Sequence, residues 1–288
     1  MSEGYLVDNT KAVMNKYGFT ASKRFGQNFI KDRKVLEDIV TASGLDKTES
    51  VVEIGPGIGV LTEFLAESAK KVYAIEVDRK LIPILQDTLS RYDNVEIINQ
   101  DIMKTDLTVL TDGEPFRIVA NLPYYITTPI IMSLLEARVP CRSMTVMVQK
   151  EVGERMTASP KNKSYGALTL AVNYYTEAEI VRKVPAGCFI PAPKIDSVVV
   201  NMKLRKEPPV EIKDEKLLFS IIRGAFNQRR KTLVNALSGY AGMNASKERI
   251  AEAIEVVSLK PTVRGEELSL MDFADLTNYL SNYLYKFL

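Results

Sequence analysis

The feature that most constrains this chain is a succession of short β-branched runs separated by stretches with helical spacing. The runs are Val51-Val52-Glu53-Ile54, Val72-Tyr73-Ala74-Ile75, Val95-Glu96-Ile97-Ile98, Arg117-Ile118-Val119-Ala120 and Met144-Thr145-Val146-Met147-Val148. They recur about every 20 to 25 residues, and Leu61, Phe64 and Leu65 between the first two share a helical face. Parallel strands cannot be joined by a hairpin and need a crossover, normally a helix. The alternation therefore predicts an α/β fold, a βαβ series with a mostly parallel sheet covered by helices. Farther on, Tyr165 to Tyr175 and Ser197 to Met202 read as strands extending that sheet, with the stiff proline-rich stretch Pro185 to Pro193 between them.

At roughly 150 residues per domain, 288 residues make one large domain or two unequal ones. Composition turns to charge and proline between Lys203 and Pro209, after which Leu217, Leu218, Ile221, Ile222, Ala225 and Phe226 recur at helical spacing. The boundary is placed near residue 206, giving a sheet domain over 1–206 and a helical domain over 207–288. In the tail, Ser246 stands as a helix N-cap, and Pro261 and Gly265 as breakers.

A hydrophobic fraction of 46% excludes a disordered chain. The sequence holds no histidine, which removes Ser-His-Asp and Cys-His relays, histidine bases and His-ligated metal sites. Cys141 and Cys188 are too few for a disulfide framework and too far apart for a paired zinc motif, so reduced thiols, no metal and a cytoplasmic setting are expected. The start, Met1-Ser2-Glu3-Gly4-Tyr5, has no basic flank before an apolar run and reads as no signal peptide. The uncharged stretch from Ile118 to Leu135 contains Asn121, Pro123 and Pro129 and is no membrane span.

Net charge is only +2, but its distribution is uneven. Lys216, Arg223, Arg229, Arg230, Lys231 and Lys247 span a segment with no acid, and the window from Lys11 to Lys34 holds seven basic residues against Asp32 alone. Each cluster could be a solvated face. Two of them in a near-neutral protein point to a polyanionic partner. A helix starting near Leu217 would turn Arg223, Arg230, Lys231 and Asn227 toward one side.

The first strand runs into Glu53-Ile54-Gly55-Pro56-Gly57-Ile58-Gly59-Val60, a glycine turn that lets backbone approach a ligand closely. Glycines at 55, 57 and 59 miss the G-x-G-x-x-G spacing of a dinucleotide site, which disfavours a hydride-transferring dehydrogenase. Glu76 ends the second strand, where a carboxylate can accept both hydroxyls of a ribose, and Asp101 follows the third. Asp101 could equally be a simple N-cap. Together these residues predict a nucleoside-type cofactor.

The fourth strand ends in Asn121-Leu122-Pro123-Tyr124-Tyr125, and here the chain resembles adenine-N6 methyltransferases that use S-adenosylmethionine. An aryl amine is a weak nucleophile because its lone pair is delocalised into the ring. The Asn121 side-chain oxygen and the Leu122 carbonyl can accept its N–H bonds, Pro123 stiffens the turn, and Tyr124 can stack on the base. The resemblance extends over nearly the whole chain to the KsgA family of small-subunit ribosomal RNA adenine dimethyltransferases. Its segments include Arg24 to Asp32, Glu53 to Gly59, Asn121 to Pro129, Gln149 to Val152, Phe189 to Ser197, Ala225 to Leu233 and Arg264 to Ser269.

The resemblance implies a Rossmann-like S-adenosylmethionine-dependent methyltransferase sheet with a small C-terminal helical domain. It implies that Asn28, Ile30, Gly55, Glu76, Asp101 and Asn121 bind S-adenosylmethionine, with Gln27, Gly57, Gly59 and Ile102 as second choices. Asn28 stands where many members carry histidine. Phe189 is implied to face Tyr124 across the target adenine, and Arg223, Arg229, Arg230 and Lys231 to hold RNA. The implied reaction puts two methyl groups on N6 of each of two adjacent adenosines in the 3′-terminal hairpin of 16S small-subunit rRNA. The implied partner is a pre-30S particle, met by a cytoplasmic monomer with no metal and no membrane. The macrolide-resistance type of large-subunit dimethyltransferase shares the cofactor segments but is not expected to carry Asn227-Gln228-Arg229-Arg230-Lys231. A non-catalytic ribosome-assembly factor would not need the set Glu76, Asp101, Asn121 and Tyr124.

Overall fold

The computed structural model describes residues 6–20, 26–243 and 245–284. Met1 to Tyr5, where the absence of a signal peptide was read, and Arg24 and Phe25 of the first matching segment lie outside the described residues. Two compact units form: Met1–Gly153 with Ala178–Leu204, and Glu154–Glu177 with Arg205–Leu288.

The elements run α1 (Leu6–Lys16), β1 (Phe29–Ile30), α2 (Arg33–Ser43), β2 (Ser50–Ile54), α3 (Val60–Ser68), β3 (Lys71–Ile75), α4 (Ile82–Thr88) and β4 (Val95–Ile98). Then come α5 (Leu107–Leu110), β5 (Phe116–Asn121), α6 (Thr127–Glu136), β6 (Cys141–Gln149), α7 (Lys150–Met156) and α8 (Ala167–Tyr175). The rest are β7 (Thr176–Val184), β8 (Phe189–Ile190), β9 (Ser197–Leu204), α9 (Glu215–Asn227), α10 (Leu233–Ser238), α11 (Lys247–Val256) and α12 (Leu270–Leu284).

The first unit is built on a seven-stranded sheet in the order β4-β3-β2-β5-β6-β9-β7. The pairs β3–β4, β2–β3, β2–β5 and β5–β6 are parallel, and β6–β9 is antiparallel. Helices cover both faces of such a sheet, so its central strands are largely apolar: Val51, Val52, Ile118 and Val119 are fully buried. Local signals set the helix ends. Asp32 accepts a bond from Val35 N (3.1 Å) to start α2, and Gly44 closes that helix at φ 62°, a left-handed conformation that glycine adopts without strain. No helix among the described residues is long and apolar enough to cross a membrane.

The second unit is helical. The segment Tyr165 to Tyr175, read from sequence as a strand, is the helix α8 over Ala167–Tyr175. Leu168, Thr169, Leu170, Ala171, Val172 and Tyr174 are all buried there, so no polar face marks the 3.6-residue period. It packs with α9: Tyr174 meets Phe219 edge-on at 5.4 Å, and Tyr175 stacks on the same ring at 5.7 Å. Residues 154–177 thus belong with Arg205–Leu288 and not with the residues before them, whereas the second crossing, at Leu204–Arg205, falls beside the sequence boundary at 206.

Gly153 sits within α7, where a Cβ would lie 2.2 Å from Val198 Cγ2, itself fully buried. Alanine there gains about 1 kcal/mol of helix propensity and costs about 1–3 kcal/mol of overpacking. We therefore expect Gly153→Ala to lower the melting temperature in a thermal denaturation scan; a rise would overturn this account of the packing.

Candidate active site

Parallel pairing places Ile54, Ile75, Ile98 and Ala120 in one row across the sheet. The residues that follow them, Gly55, Glu76, Asn99 and Asn121, emerge together at its carboxyl edge. The chain runs outward from β2 through β3 to β4 and then crosses back to β5 on the other side of β2, and this switch point is where open α/β sheets bind ligands. A cavity of about 1190 Å3, counted out to its open mouth, is lined by Gly55, Gly57, Glu76, Asp101, Asn121 and Tyr124. Gln27, Asn28, Ile30, Ile102, Leu122 and Pro123 also line it.

The glycine turn and Glu76 make one unit. Gly55 and Gly57 hold φ of 73° and 63°, and a Cβ on Gly57 would lie 2.8 Å from the Phe29 ring. Glu76 is buried; its Oε2 accepts from Gly57 N (3.2 Å) and its Oε1 from Asp78 N (2.8 Å). Burial pushes its carboxyl above the usual range, against the pull of those two N–H donors. Asn99 Nδ2 donates to the Glu76 carbonyl (2.7 Å), which ties the ends of β3 and β4 together. Gln27 Nε2 donates to Asp78 Oδ2 (3.2 Å). Asp101 Oδ1 accepts from Met103 N (3.0 Å) and caps the 3-10 turn Ile102–Lys104. Capping uses one oxygen, and Oδ2 has no partner among the described residues, so Asp101 can both cap and bind.

At the end of β5, Asn121 Nδ2 donates to the Asn28 carbonyl (2.9 Å). A carbonyl can only accept, so this bond fixes which end of the amide is oxygen and leaves Oδ1 as a free acceptor. The Pro123 carbonyl is taken by Thr127 Oγ1 (2.9 Å) and Ile126 N (3.2 Å), whereas the Leu122 carbonyl accepts no bond among the described residues. Tyr124 is half-buried with its hydroxyl on Ser197 Oγ (2.8 Å), and burial raises its phenol above the usual range. Two fixed acceptors beside an anchored ring can seat an aromatic amine.

Other sequence-chosen residues lie elsewhere. Gly59 does not line the cavity; it is the left-handed N-cap of α3 at φ 93°, packed on Leu89. Phe189, expected opposite Tyr124, is 2% exposed, pairs with Ile30 between β8 and β1, and does not line the cavity. In this structure it is a core ring. In the second unit, α9 ends at Asn227, so Arg230 and Lys231 lie in the turn after it and share no helical face with Arg223. All three are exposed and have no side-chain partner among the described residues. Arg229 differs: it donates to the carbonyls of Lys163 (3.2 Å) and Tyr165 (3.0 Å) and pairs with Glu266 (3.2 Å). It fastens loops within its own unit.

Three comparisons bear on this arrangement. A family profile described as Ribosomal RNA adenine dimethylase matches residues 18–281. A curated relative from Lachnoclostridium phytofermentans, Ribosomal RNA small subunit methyltransferase A, is 51% identical over 283 residues, covering 96% of this chain and 98% of that protein. Among solved structures, a dimethyladenosine transferase from Plasmodium falciparum matches with a TM-score of 0.76 and 26% identity over 90% of this chain and 98% of that one. The 23S rRNA methyltransferase ErmE matches with a TM-score of 0.68 and 27% identity over 88% of this chain and all (100%) of that one.

Sequence reasoning gave Glu53 no role of its own. It is 1% exposed, lines the cavity, and its Oε2 has no hydrogen-bond partner. An acid inside an apolar strand run was its only signal. Burial pushes its carboxyl up to about 8 from 4.5, and the charge of Glu76 adds to the rise. The folded state therefore binds a proton that the unfolded state gives up above 4.5, and its stability falls as pH rises from about 5 to about 8. Each tenfold difference in proton affinity between the two states is worth about 1.4 kcal/mol, so the loss is on the order of a few kcal/mol. Glu53→Gln cannot ionise, so its melting temperature should decline less than wild type between pH 5 and pH 8.5; identical declines would overturn the assignment.

Proposed function

The chain belongs to the ribosomal RNA adenine dimethylase family, and from that premise we propose how its residues carry the reaction. It is an S-adenosylmethionine-dependent methyltransferase that dimethylates N6 of two adjacent adenosines in the 3′-terminal hairpin of small-subunit rRNA. The 51% identity to a small-subunit enzyme against 27% to ErmE favours this over the large-subunit reaction. The observation that carries the reading is the Asn121–Asn28 bond, which orients an amide oxygen as acceptor at the end of β5.

The cavity residues fit the cofactor. Glu76 is positioned for the ribose hydroxyls, the free oxygen of Asp101 for the adenine amino group, and the bare backbone of Gly55 and Gly57 for close approach. When bound, S-adenosylmethionine supplies an electrophilic methyl carbon on a cationic sulfonium. Asn121 Oδ1 and the Leu122 carbonyl accept the two N–H bonds of the adenine amine, turning its lone pair toward the methyl group, while Tyr124 holds the ring. With the cofactor bound, the N–C bond would form on that lone pair as the methyl S–C bond breaks to leave a neutral thioether, and the proton then shed by the nitrogen would pass to water. Deprotonation of the amine is not needed beforehand, so a sequence without histidine suffices. Gln27, Asn28, Ile30 and Ile102 complete the cofactor walls.

Exposed and unpaired, Arg223, Arg230 and Lys231 hold the rRNA backbone. The enzyme meets its substrate as a pre-30S particle in the cytoplasm, acting as a monomer without a metal.

Mass spectrometry of small-subunit rRNA from cells lacking the protein tests the activity, and loss of both dimethyladenosines is expected. Asn121→Ala should cut single-turnover methylation by at least 100-fold with rRNA affinity within about twofold of wild type; near-wild-type turnover would remove Asn121 from the chemistry. Replacing Arg223, Arg230 and Lys231 by Gln should flatten the slope of log affinity against log salt by roughly 0.7–0.9 for each phosphate that a replaced side chain had neutralised. Arg229→Gln should instead lower the melting temperature. An unchanged slope in the triple variant would assign those three side chains to solvent.

A further inference from the structure

Tyr125 follows the tyrosine that the site uses, yet nothing derived above needs it. Its side chain is 61% exposed and lines the mouth of the cavity. Of the exposed large hydrophobic side chains among the described residues, only Val77 and Tyr125 line the cavity, and Tyr125 is the one aromatic ring. It is held from beneath. A Cβ on Gly26 would lie 3.5 Å from Tyr125 Cδ1 and 3.7 Å from Cε1, and 3.7 Å from Pro123 Cβ, so the ring rests against bare backbone beside a proline. Gly26 holds φ of 58°, and glycine there gives the ring its seat. The Tyr125 hydroxyl has no partner among the described residues, in contrast to that of Tyr124 on Ser197. A well-supported, unpartnered ring at the rim of a nucleotide site costs hydration in the free protein. Stacking of a second flat group would recover it.

We propose that Tyr125 is a stacking platform for the nucleobase next to the target adenosine in the same strand, a specificity-determining contact outside the reacting pocket. This deepens the rRNA methyltransferase reading and rests on it. A base drawn into a pocket loses stacking with its neighbours, and a ring at the rim replaces the interaction for one of them. Because the substrate strand has a direction, a platform on one side of the pocket serves the 3′ neighbour or the 5′ neighbour, not both. With the two target adenosines adjacent, each is the other's neighbour on opposite sides. Tyr125 therefore assists one of the two adenosines more than the other and sets the order in which they react.

The test uses small subunits reconstituted from unmethylated rRNA, with a mass-spectrometric count of methyl groups on each adenosine in a single turnover. Tyr125→Ala should slow one adenosine by roughly 5- to 150-fold, the range that a stacked base is worth, and leave the other within about twofold. Tyr125→Phe and Tyr125→Trp should restore the wild-type order, and S-adenosylmethionine affinity should stay constant in all three. In the second arm, one adenosine is made abasic. Wild-type methylation of the remaining adenosine should fall in one of the two substrates, and Tyr125→Ala should show no additional loss there. Equal slowing of both adenosines, or losses in the abasic substrate and in Tyr125→Ala that multiply, would overturn the proposal. Failure of the wild-type protein to methylate intact subunits would instead overturn the rRNA reading beneath it.

Discussion

The site depends on level parallel pairing around β2. The row Ile54, Ile75, Ile98 and Ala120 brings four chain segments to one edge at the same height. A slip of a single residue in any pair would turn that strand's side chains to the opposite face. The row is enforced by burial: Ile54, Ile75 and Ala120 are all within 4% exposure, so the register that buries them is also the one that places Gly55, Glu76 and Asn121 at the edge. Short polar bonds then lock the loops beyond the row, Gly57 N on Glu76, Asn99 on the Glu76 carbonyl, and Asn121 on the Asn28 carbonyl. Apolar packing fixes the height, and hydrogen bonds fix the orientation.

The same edge concentrates acids. Glu53, Glu76 and Asp78 are all buried, with Glu76 close enough to raise the Glu53 carboxyl and Asp78 close enough to raise that of Glu76. Of these, Glu53 and Glu76 line the cavity, and carboxylate charge there favours a cationic occupant over a neutral one of the same shape. Methyl transfer converts a sulfonium to a thioether and removes that charge, so the electrostatics that assist binding of the cofactor weaken for its product. Neutral Glu53 limits the cost of packing these groups together.

Much of this was legible in the chain. All five β-branched runs became strands of the sheet, and Glu76, Asp101 and Asn121 stand at the edge where their strand-end positions put them. The failures have physical causes. Helix α8 carried no visible period because nearly every residue in it is buried. Phe189 sits in a motif that suggests a presented ring, but pairing of β8 with β1 draws it into the core. Gly59 belongs to the same glycine run as Gly55 and Gly57, and only the left-handed turn into α3 separates its structural role from theirs. Asn121 was found from its type and place, but the bond to Asn28 that orients it spans 93 residues and has no local signature.

Charge clusters were the least transferable signal, and the two clusters differ for an energetic reason. In the Lys11 to Lys34 window, Lys16 pairs with Asp87 at 2.8 Å, Arg33 with Glu37 at 3.2 Å and Lys34 with Asp38 at 3.0 Å. Each of these exposed pairs is worth little in stability, at most about 1 kcal/mol, yet each reduces the charge left to attract a distant anion. In the second unit only Arg229 of its group is spent this way, on Glu266 and two carbonyls. Arg223, Arg230 and Lys231 keep their full charge at the surface, with no acid between Leu217 and Ser246 to screen them. On the proposed reading, availability, not the count of basic residues, suits Arg223, Arg230 and Lys231 to a phosphate backbone.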